Sequence, residues 1–442
     1  MSIYFGTDGI RGKFNDDLSV NVAYNCGNAL GSEGNNLKII IGKDTRSSGD
    51  ILSLAFASGA MNAGADVTNV GICPTAGISY LTKTKGFDYG VVISASHNPA
   101  EFNGIKIFDK TGRKISELQE EYLEKKFIKQ VSLDFSSVGK YYHKEYLVKH
   151  YLNYMKNIFN FDLTGKTVIL DCSNGASSYI AKRLFLSKGA RVYALSCKPN
   201  GTNINKDCGS LHISRLKREV IRKKADFGFA YDGDSDRIVA ISEKGEVLSG
   251  DVLIYIFSMY YKQIGKLSPA TVVGTRHTNM GVEKTLKNQG ISLIRADIGD
   301  KYVSAKLVEK DLLIGGEQSG HIIVRDMLPT GDGILNSLFL TYICVTQKST
   351  LSKLGKVELY KQSNVNVEVM DKMQVINNEK VSLIINEKEN ELLNIGRIMI
   401  RVSGTEPCIR VMVETENEEL SKQISNDIVK VIKQVDNELK MC

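Results

Sequence analysis

The chain has 442 residues, 42% hydrophobic and 24% charged, an ordinary globular composition long enough for roughly three or four domains. No apolar run approaches the ~20 residues of a membrane helix, the start "MSIYFGTDGIRG" lacks a signal-peptide layout, and eight cysteines stand without C-x-x-C spacing, which predicts a cytoplasmic protein with reduced thiols, no membrane partner and no zinc site. The net charge of +7 suits an acidic partner; without dense Lys/Arg tracts carrying interleaved aromatics, a small phosphorylated substrate is expected and nucleic acid is not.

In chain order, "FGTDGIRG" sets Arg11 in a Gly-rich turn. The runs "LKIIIGKDTRSSG", "DVTNVGICPT" and "FDYGVVISASHN" then read as three strands, each ending in a polar loop, with helical stretches between them. The segment "SELQEEYLEKKFIKQ" reads as a charged surface helix. The three-strand pattern recurs as "KTVILDCSNGASS", "RVYALSCKPNGT" and "ADFGFAYDGDSD", and again as "ATVVGTRHTNMGV", "SLIRADIGDKYV" and "KDLLIGGEQSGH". Beyond residue 365 the chain reads as alternating strands followed by a terminal amphipathic helix. The expected fold class is α/β, with three similar α/β domains of mixed sheets around a central cleft and a smaller C-terminal α+β domain. The expected boundaries are 1–153, 154–250, 251–364 and 365–442. Neither G-x-x-x-x-G-K-[ST] nor G-x-G-x-x-G occurs, so P-loop and dinucleotide-binding readings have no support.

Ligands of open α/β sheets bind beyond the carboxyl ends of strands, so the loops carry the chemistry. "VISASHNP" ends a strand on Ser96 beside His97, either a capped turn or a nucleophile and phosphate carrier. "YDGDSDRIV" sets Asp232, Asp234 and Asp236 at alternate positions, where an extended loop turns all three carboxylates to one side. Such a cluster suits a hard divalent cation such as Mg2+. The alternatives are a plain surface turn and a calcium EF-hand loop completed by Glu243. The EF-hand needs a turn-forming Gly where Arg237 stands, and its flanks read as strands. "GGEQSGHI" supplies Glu317 and Ser319 for sugar hydroxyls, with His321 beside them. "RVSGTEPCIRVMVE" joins two strands by a turn whose N–H groups can cradle an anion between Arg401 and Arg410, or that is simply a hairpin turn.

"GTDGIRG", "ISASHNP", "DGDSDR", "GGEQSGH" and "SGTEP" with "RVMVE", in this order along nearly the whole chain, resemble the α-D-phosphohexomutase superfamily. Within it the chain is most similar to the bacterial branch that interconverts glucosamine 6-phosphate and glucosamine 1-phosphate on the route to UDP-N-acetylglucosamine; Gln318 carries much of that choice. A phosphomannomutase/phosphoglucomutase of the same superfamily is the alternative.

The resemblance implies that Ser96 is phosphorylated in the active enzyme and that Asp232, Asp234, Asp236 and the phosphoserine bind one Mg2+ per active site. It puts Arg11 and Arg237 beside the transferring phosphoryl group, with His97 and Lys106 near the phosphoserine. Glu317 and Ser319 would bind the sugar, and Arg401, Ser403, Gly404, Thr405 and Arg410 the phosphate not being transferred. The partner is then a small phosphorylated amino sugar and the protein a monomer or homodimer. Lys106 and His321 are acid/base candidates by chemistry alone. Three departures stand out: Ser235 where Gly is usual, Cys408 for the common Leu, and the run "GTRHTNMGVE" in a loop resembling a substrate-reading one.

Overall fold

A computed structural model describes residues 4–6, 8–127, 131, 134, 137–403 and 407–441. The chain falls into two compact units, Met1–Thr278 with Ile291–Lys356, and Asn279–Gly290 with Val357–Cys442. The expected α/β class holds: three parallel-cored sheets and one small antiparallel sheet.

The first sheet contains β1 (Phe5–Gly6), β2 (Gly9–Lys13), β3 (Lys38–Lys43), β4 (Asp66–Ile72), β5 (Tyr89–Ile93), β6 (Phe102–Asp109) and β7 (Tyr141–His143), in the order β1-β2-β6-β5-β3-β4-β7. The second contains β8 (Thr167–Asp171), β9 (Arg191–Leu195), β10 (Phe227–Tyr231), β11 (Ile238–Ile241) and β12 (Val247–Leu248), ordered β12-β11-β10-β8-β9. The third contains β13 (Thr271–Thr275), β14 (Ser292–Ala296), β15 (Ile314–Gly316) and β16 (Ile322–Val324), ordered β14-β13-β15-β16.

The repeat seen in the sequence is this topology. In each sheet the first strand of the unit pairs in parallel with the second and third, and a fourth pairs antiparallel with the third. All three polar loops of interest therefore bridge the third and fourth strands: β5–β6 carries Ser96, β10–β11 the aspartates, and β15–β16 Glu317.

A parallel strand covered on both faces reads as a continuous apolar run, and β3 is one. Ile39 and Ile41 enter a core with Ala23, Leu30 and Phe56, whereas Ile40 points the other way, to Val70, Ile78, Leu81 and Phe108. Truncating any of the three isoleucines to Ala would cost about 2–5 kcal/mol, so the strand end is firmly anchored. Within "SELQEEYLEKKFIKQ" the helix is Glu117–Lys126, started by a capping box between Ser116 and Gln119, and residues 128–130 lie outside the described residues. No helix among the described residues is long and apolar enough to cross a membrane.

The last unit departs from the all-strand reading of its first half. Its sheet is β17 (Lys361–Glu368), β18 (Gly396–Val402) and β19 (Cys408–Thr415), antiparallel in the order β17-β19-β18. Between β17 and β18 the chain is helical, at Lys372–Ile376 and Glu379–Glu391. "VSLIINEK" is rich in strand formers, but Val381, Ile384, Ile385 and Leu392 fall at helical spacing onto one core, and the Asn378 side chain caps the helix by accepting from the Lys380 N–H. The terminal helix Glu418–Met441 forms as expected and buries Ile424, Ile428, Ile432 and Val435 in that core.

Candidate active site

Asn98-Pro99 breaks the chain out of β5, and within this loop Ser96 takes a left-handed backbone, φ 53°. A serine there is uncommon and is retained where its surroundings fix it. Ser96 is fully buried; its Oγ donates to Asp232 Oδ2 at 2.5 Å and lies 3.3 Å from His97 Nδ1. Its N–H donates to Ser94 Oγ at 2.9 Å, and Ser94 Oγ donates to Asp44 Oδ2 at 2.6 Å.

Opposite lies the β10–β11 loop. Gly233 allows the two loops to touch, because a Cβ there would stand 2.6 Å from the Ser96 carbonyl oxygen. Ser235, where glycine was the common residue of the resemblance, occupies the left-handed region at φ 64°. Asp232, Asp234 and Asp236 are buried, and each offers a carboxylate oxygen within 4.8 Å of the others. Glu243, the last ligand of the EF-hand alternative, is absent from this group and accepts from the Ser352 N–H at 3.3 Å.

The charges around this triad form a network. Asp234 Oδ2 accepts from Thr75 Oγ1 at 2.6 Å and from Lys106 Nζ at 2.8 Å, and Lys106 reaches Asp236 Oδ2 at 2.9 Å and Asp8 at 3.3 Å. Lys114 bridges Asp8 and Asp300, and Arg11 pairs with Asp8. His321 lies 3.4 Å from Asp300 and 3.7 Å from Asp236, and its Nε2 accepts from the Gly331 N–H at 3.2 Å. Burial, followed by the Asp236 and Asp234 charges, pushes the Asp232 carboxyl well above the usual range. Burial acts the same way on Asp236 and Asp8, but neighbouring cations, Lys106 foremost, outweigh it and hold both well below. His97 is pushed down to about 4 by burial and by Arg237 and Arg11, so it is neutral near pH 7.

Two sets of atoms in the network are unsatisfied. Asp234 Oδ1 and Asp236 Oδ1 are buried acceptors, and Arg11 Nε and Arg237 Nε buried donors, none with a hydrogen-bond partner among the described residues. The first pair fits a hard cation that takes carboxylate oxygens, and the second an anion held between two guanidinium groups.

The structure thus brings Ser96, His97, Lys106, Arg11, Asp232, Asp234, Asp236 and Arg237 together. Glu317, on the β15–β16 loop, accepts from the Gly299 N–H at 3.1 Å; burial, helped by the Asp300 charge, raises its carboxyl above the usual range against the pull of His321 and Arg237. Ser319 is exposed. In the second unit Arg401 and Arg410 stand directly opposite on β18 and β19, a like-charge pairing that disfavours the sheet unless an anion is shared. Arg410 reaches Ser403 Oγ at 3.5 Å, and Lys372 Nζ donates to the Ser403 carbonyl at 2.5 Å. Gly404 and Thr405 lie outside the described residues.

Sequence reasoning did not single out Asp8, Asp44, Arg46, Thr75, Lys114, Asn205 or Asp300. Asp8 and Asp300 sit in runs already quoted, and Asp44 and Arg46 follow β3 directly, a place where the strand-end rule applies as much as it does after β5.

Family models match the chain over most of its length: phosphoglucomutase/phosphomannomutase alpha/beta/alpha domain I over residues 2–133, domain II over 149–245, domain III over 249–361 and the C-terminal domain over 365–431. The chain is 40% identical to a phosphoglucosamine mutase of Clostridioides difficile, with 98% of this chain and 99% of the relative covered. It is 44% identical to one of Caldicellulosiruptor saccharolyticus, covering 96% and 98%. Among solved structures, a phosphoglucomutase/phosphomannomutase family protein of Burkholderia thailandensis superposes with a TM-score of 0.82 at 22% identity, covering 96% of each chain. An Aspergillus fumigatus N-acetylphosphoglucosamine mutase solved with GlcNAc-6P and magnesium gives 0.63 at 15%, covering 99% of this chain and 96% of that one. At these identities the two structures speak for the fold.

Proposed function

The chain belongs to the phosphoglucomutase/phosphomannomutase family, the α-D-phosphohexomutase superfamily, and from that premise we propose that it interconverts glucosamine 6-phosphate and glucosamine 1-phosphate, a step toward UDP-N-acetylglucosamine. The choice of sugar rests on relatives named phosphoglucosamine mutase at 40–44% identity over nearly the full chain. The observation that carries the chemistry is the buried Ser96 hydroxyl, 2.5 Å from one carboxylate of a three-aspartate cluster, with two unpaired guanidinium donors in the same network.

In the proposed cycle Ser96 carries a phosphoryl group. A sugar hydroxyl attacks its phosphorus, the P–Oγ bond breaks, the sugar oxygen loses its proton and Ser96 Oγ gains one, which leaves a sugar 1,6-bisphosphate. After the intermediate turns over, Ser96 Oγ attacks the other phosphate and the freed sugar oxygen takes up the proton. The net result is isomerisation with Ser96 phosphorylated again. Asp232, Asp234 and Asp236 would hold Mg2+, which when bound draws charge from the phosphoryl oxygens and offsets carboxylate repulsion. Arg11 and Arg237 bind the transferring group through their free Nε–H donors. Lys106 fixes Asp234 and Asp236 and adds positive charge, in keeping with phosphoryl transfer by positioning and electrostatics. Glu317 and Ser319 hold ring hydroxyls, and Arg401, Ser403 and Arg410 bind the second phosphate.

A coupled assay of glucosamine 1-phosphate formation, primed with a trace of sugar bisphosphate, tests this reading. The amino sugar is expected to give the highest kcat/KM; a preference for mannose or glucose phosphates would move the assignment to that branch of the family. Steady release of inorganic phosphate would point instead to a phosphatase.

A further inference from the structure

Arg46 lies at the centre of the Ser96 loop, and of the residues placed in the reaction above it touches Ser96 alone, through its carbonyl and not its hydroxyl. It is 1% exposed and uses all five of its N–H donors. Nε donates to Asp44 Oδ2 at 2.9 Å; Nη1 donates to the carbonyls of Pro99 and of Phe102, the latter at 2.9 Å; Nη2 donates to the carbonyls of Ser96 at 3.0 Å and Asn98 at 2.8 Å. One guanidinium therefore ties three carbonyls of the β5–β6 loop and that of Phe102, the first residue of β6, to the end of β3. Asn205 Nδ2 donates to the Ser96 and Asn98 carbonyls as well, both at 2.9 Å, so each of these oxygens accepts twice. On the other side of Ser96, its N–H is held by Ser94 Oγ, whose own proton goes to the same Asp44 oxygen that pairs with Arg46.

We propose that Arg46, anchored by Asp44 and relayed through Ser94, is the positioning residue that holds Ser96 in its left-handed conformation and aims Oγ at the aspartate cluster. Fixing both the carbonyl and the N–H of Ser96 leaves its backbone no second conformation. The serine then keeps one position whether phosphorylated or free, which a carrier that gives and receives the same group twice per turnover requires. Lysine cannot replace this arrangement, because three donors on a tetrahedral ammonium do not reach four carbonyls and a carboxylate in one plane. The inference rests on the reading of Ser96 as the phosphate carrier.

The full-length protein, R46K and S94A are compared for Ser96 phosphate content by peptide mass spectrometry, for kcat and KM per phosphorylated molecule, and for melting temperature. A 31P NMR spectrum of each phosphoenzyme reports the environment of the phosphoserine. R46K is expected to lose kcat by about 10²-fold, the scale of a 1 Å misplacement, with KM for glucosamine 6-phosphate within about threefold of wild type. Its phosphoserine resonance should move toward that of an unstructured phosphopeptide. S94A, which removes one hydrogen bond to the Ser96 N–H and no charge, is expected to lose kcat about tenfold by the same route. Activity in R46K that falls only in proportion to folded protein, with an unmoved resonance, overturns the proposal. If R46K does not fold, an S94A enzyme with wild-type kcat and resonance overturns it. A wild-type protein with no phosphate on Ser96 and no mutase turnover instead defeats the carrier reading itself.

Discussion

The β5–β6 and β15–β16 loops occupy the same station in two copies of one topological unit, yet they are built in opposite ways. The first buries Ser94, Ala95 and Ser96, puts a serine in the left-handed region, and is held by side chains from the loop after β3 and from Asn205 of the second sheet's unit. The second is held by backbone bonds: the Glu317 N–H donates to the His321 carbonyl and the Gly320 N–H to the Glu317 carbonyl, both at 3.0 Å, and the N–H groups of Gly250 and Ile238 donate to the carbonyls of Gln318 and Gly320, both at 3.1 Å. Glycine takes the left-handed residue there, at φ 94°, and Ser319 is exposed. A group that makes and breaks bonds must stay within a fraction of an ångström of its target. Groups that recognise a ring presented in two orientations need polar reach and exposure instead. One hairpin serves both purposes, and the side chains around it decide which.

The largest expected effect comes from removing the buried end of that contrast. Ser96→Ala should abolish the phosphate increment on the peptide containing residue 96 and lower mutase kcat by about 10⁴-fold or more, the scale seen when a covalent nucleophile is deleted. Phosphate found on Ser94, or full activity in this variant, would put the carrier elsewhere. Next comes Asp234→Asn, which keeps the shape of the side chain but removes one of the three carboxylate charges. It should lower kcat at least ~10²-fold, as loss of a single electrostatic group at developing charge does, and raise the Mg2+ concentration needed for half-maximal rate. Full activity at ordinary Mg2+ would mean that the triad holds no metal. Third is Glu317→Ala on the exposed-side loop, expected to lower kcat/KM about 10- to 100-fold in both reaction directions, because a carboxylate hydrogen-bonded to a substrate hydroxyl contributes roughly 1.5–3 kcal/mol. Equal kcat/KM before and after the change would remove Glu317 from the sugar site.

Much of this contrast is legible in the sequence. The three-strand repeat, the strand ends and the triad all show in β-branched runs followed by polar residues, since parallel strands buried on both faces leave that trace. Ser96, Asp232, Asp234 and Asp236 were identifiable because they close short motifs. The antiparallel fourth strands that turn these loops into hairpins were plain only around the aspartates, where "FGFAY" and "RIVAIS" flank the turn. The partners of Arg46, Thr75, Asn205 and Asp300 were not legible, because each meets Ser96's loop or the charge network only through folding: Arg46 bonds a carbonyl 50 residues away, and Thr75 a carboxylate 159 away. In the second unit the helix Glu379–Glu391 was hidden by strand-forming Val and Ile residues, whose preference yields when helical spacing buries them together.

The smallest predicted effect sharpens the comparison from its exposed side. Ser319 is exposed, and the β15–β16 loop is held by backbone bonds among Glu317, Gly320 and His321 and from the N–H groups of Gly250 and Ile238 rather than by its hydroxyl. Ser319→Ala should therefore leave the melting curve within about 0.5 kcal/mol of wild type, as surface changes ordinarily do. If its hydroxyl meets the sugar, the contact replaces one already made to water, so its net worth is about 1 kcal/mol, a factor of about five in kcat/KM. Because the same loop must hold the ring before and after the intermediate turns over, that factor should appear in both directions and mainly in KM. Ser94→Ala offers the matched control, a serine deleted from the corresponding hairpin at its buried end, where the loss falls on kcat. Progress curves started from either sugar phosphate distinguish the two outcomes: a loss confined to one direction for Ser319→Ala would mean that the exposed loop reads a single orientation of the sugar, and the two hairpins would then differ in timing as well as in burial.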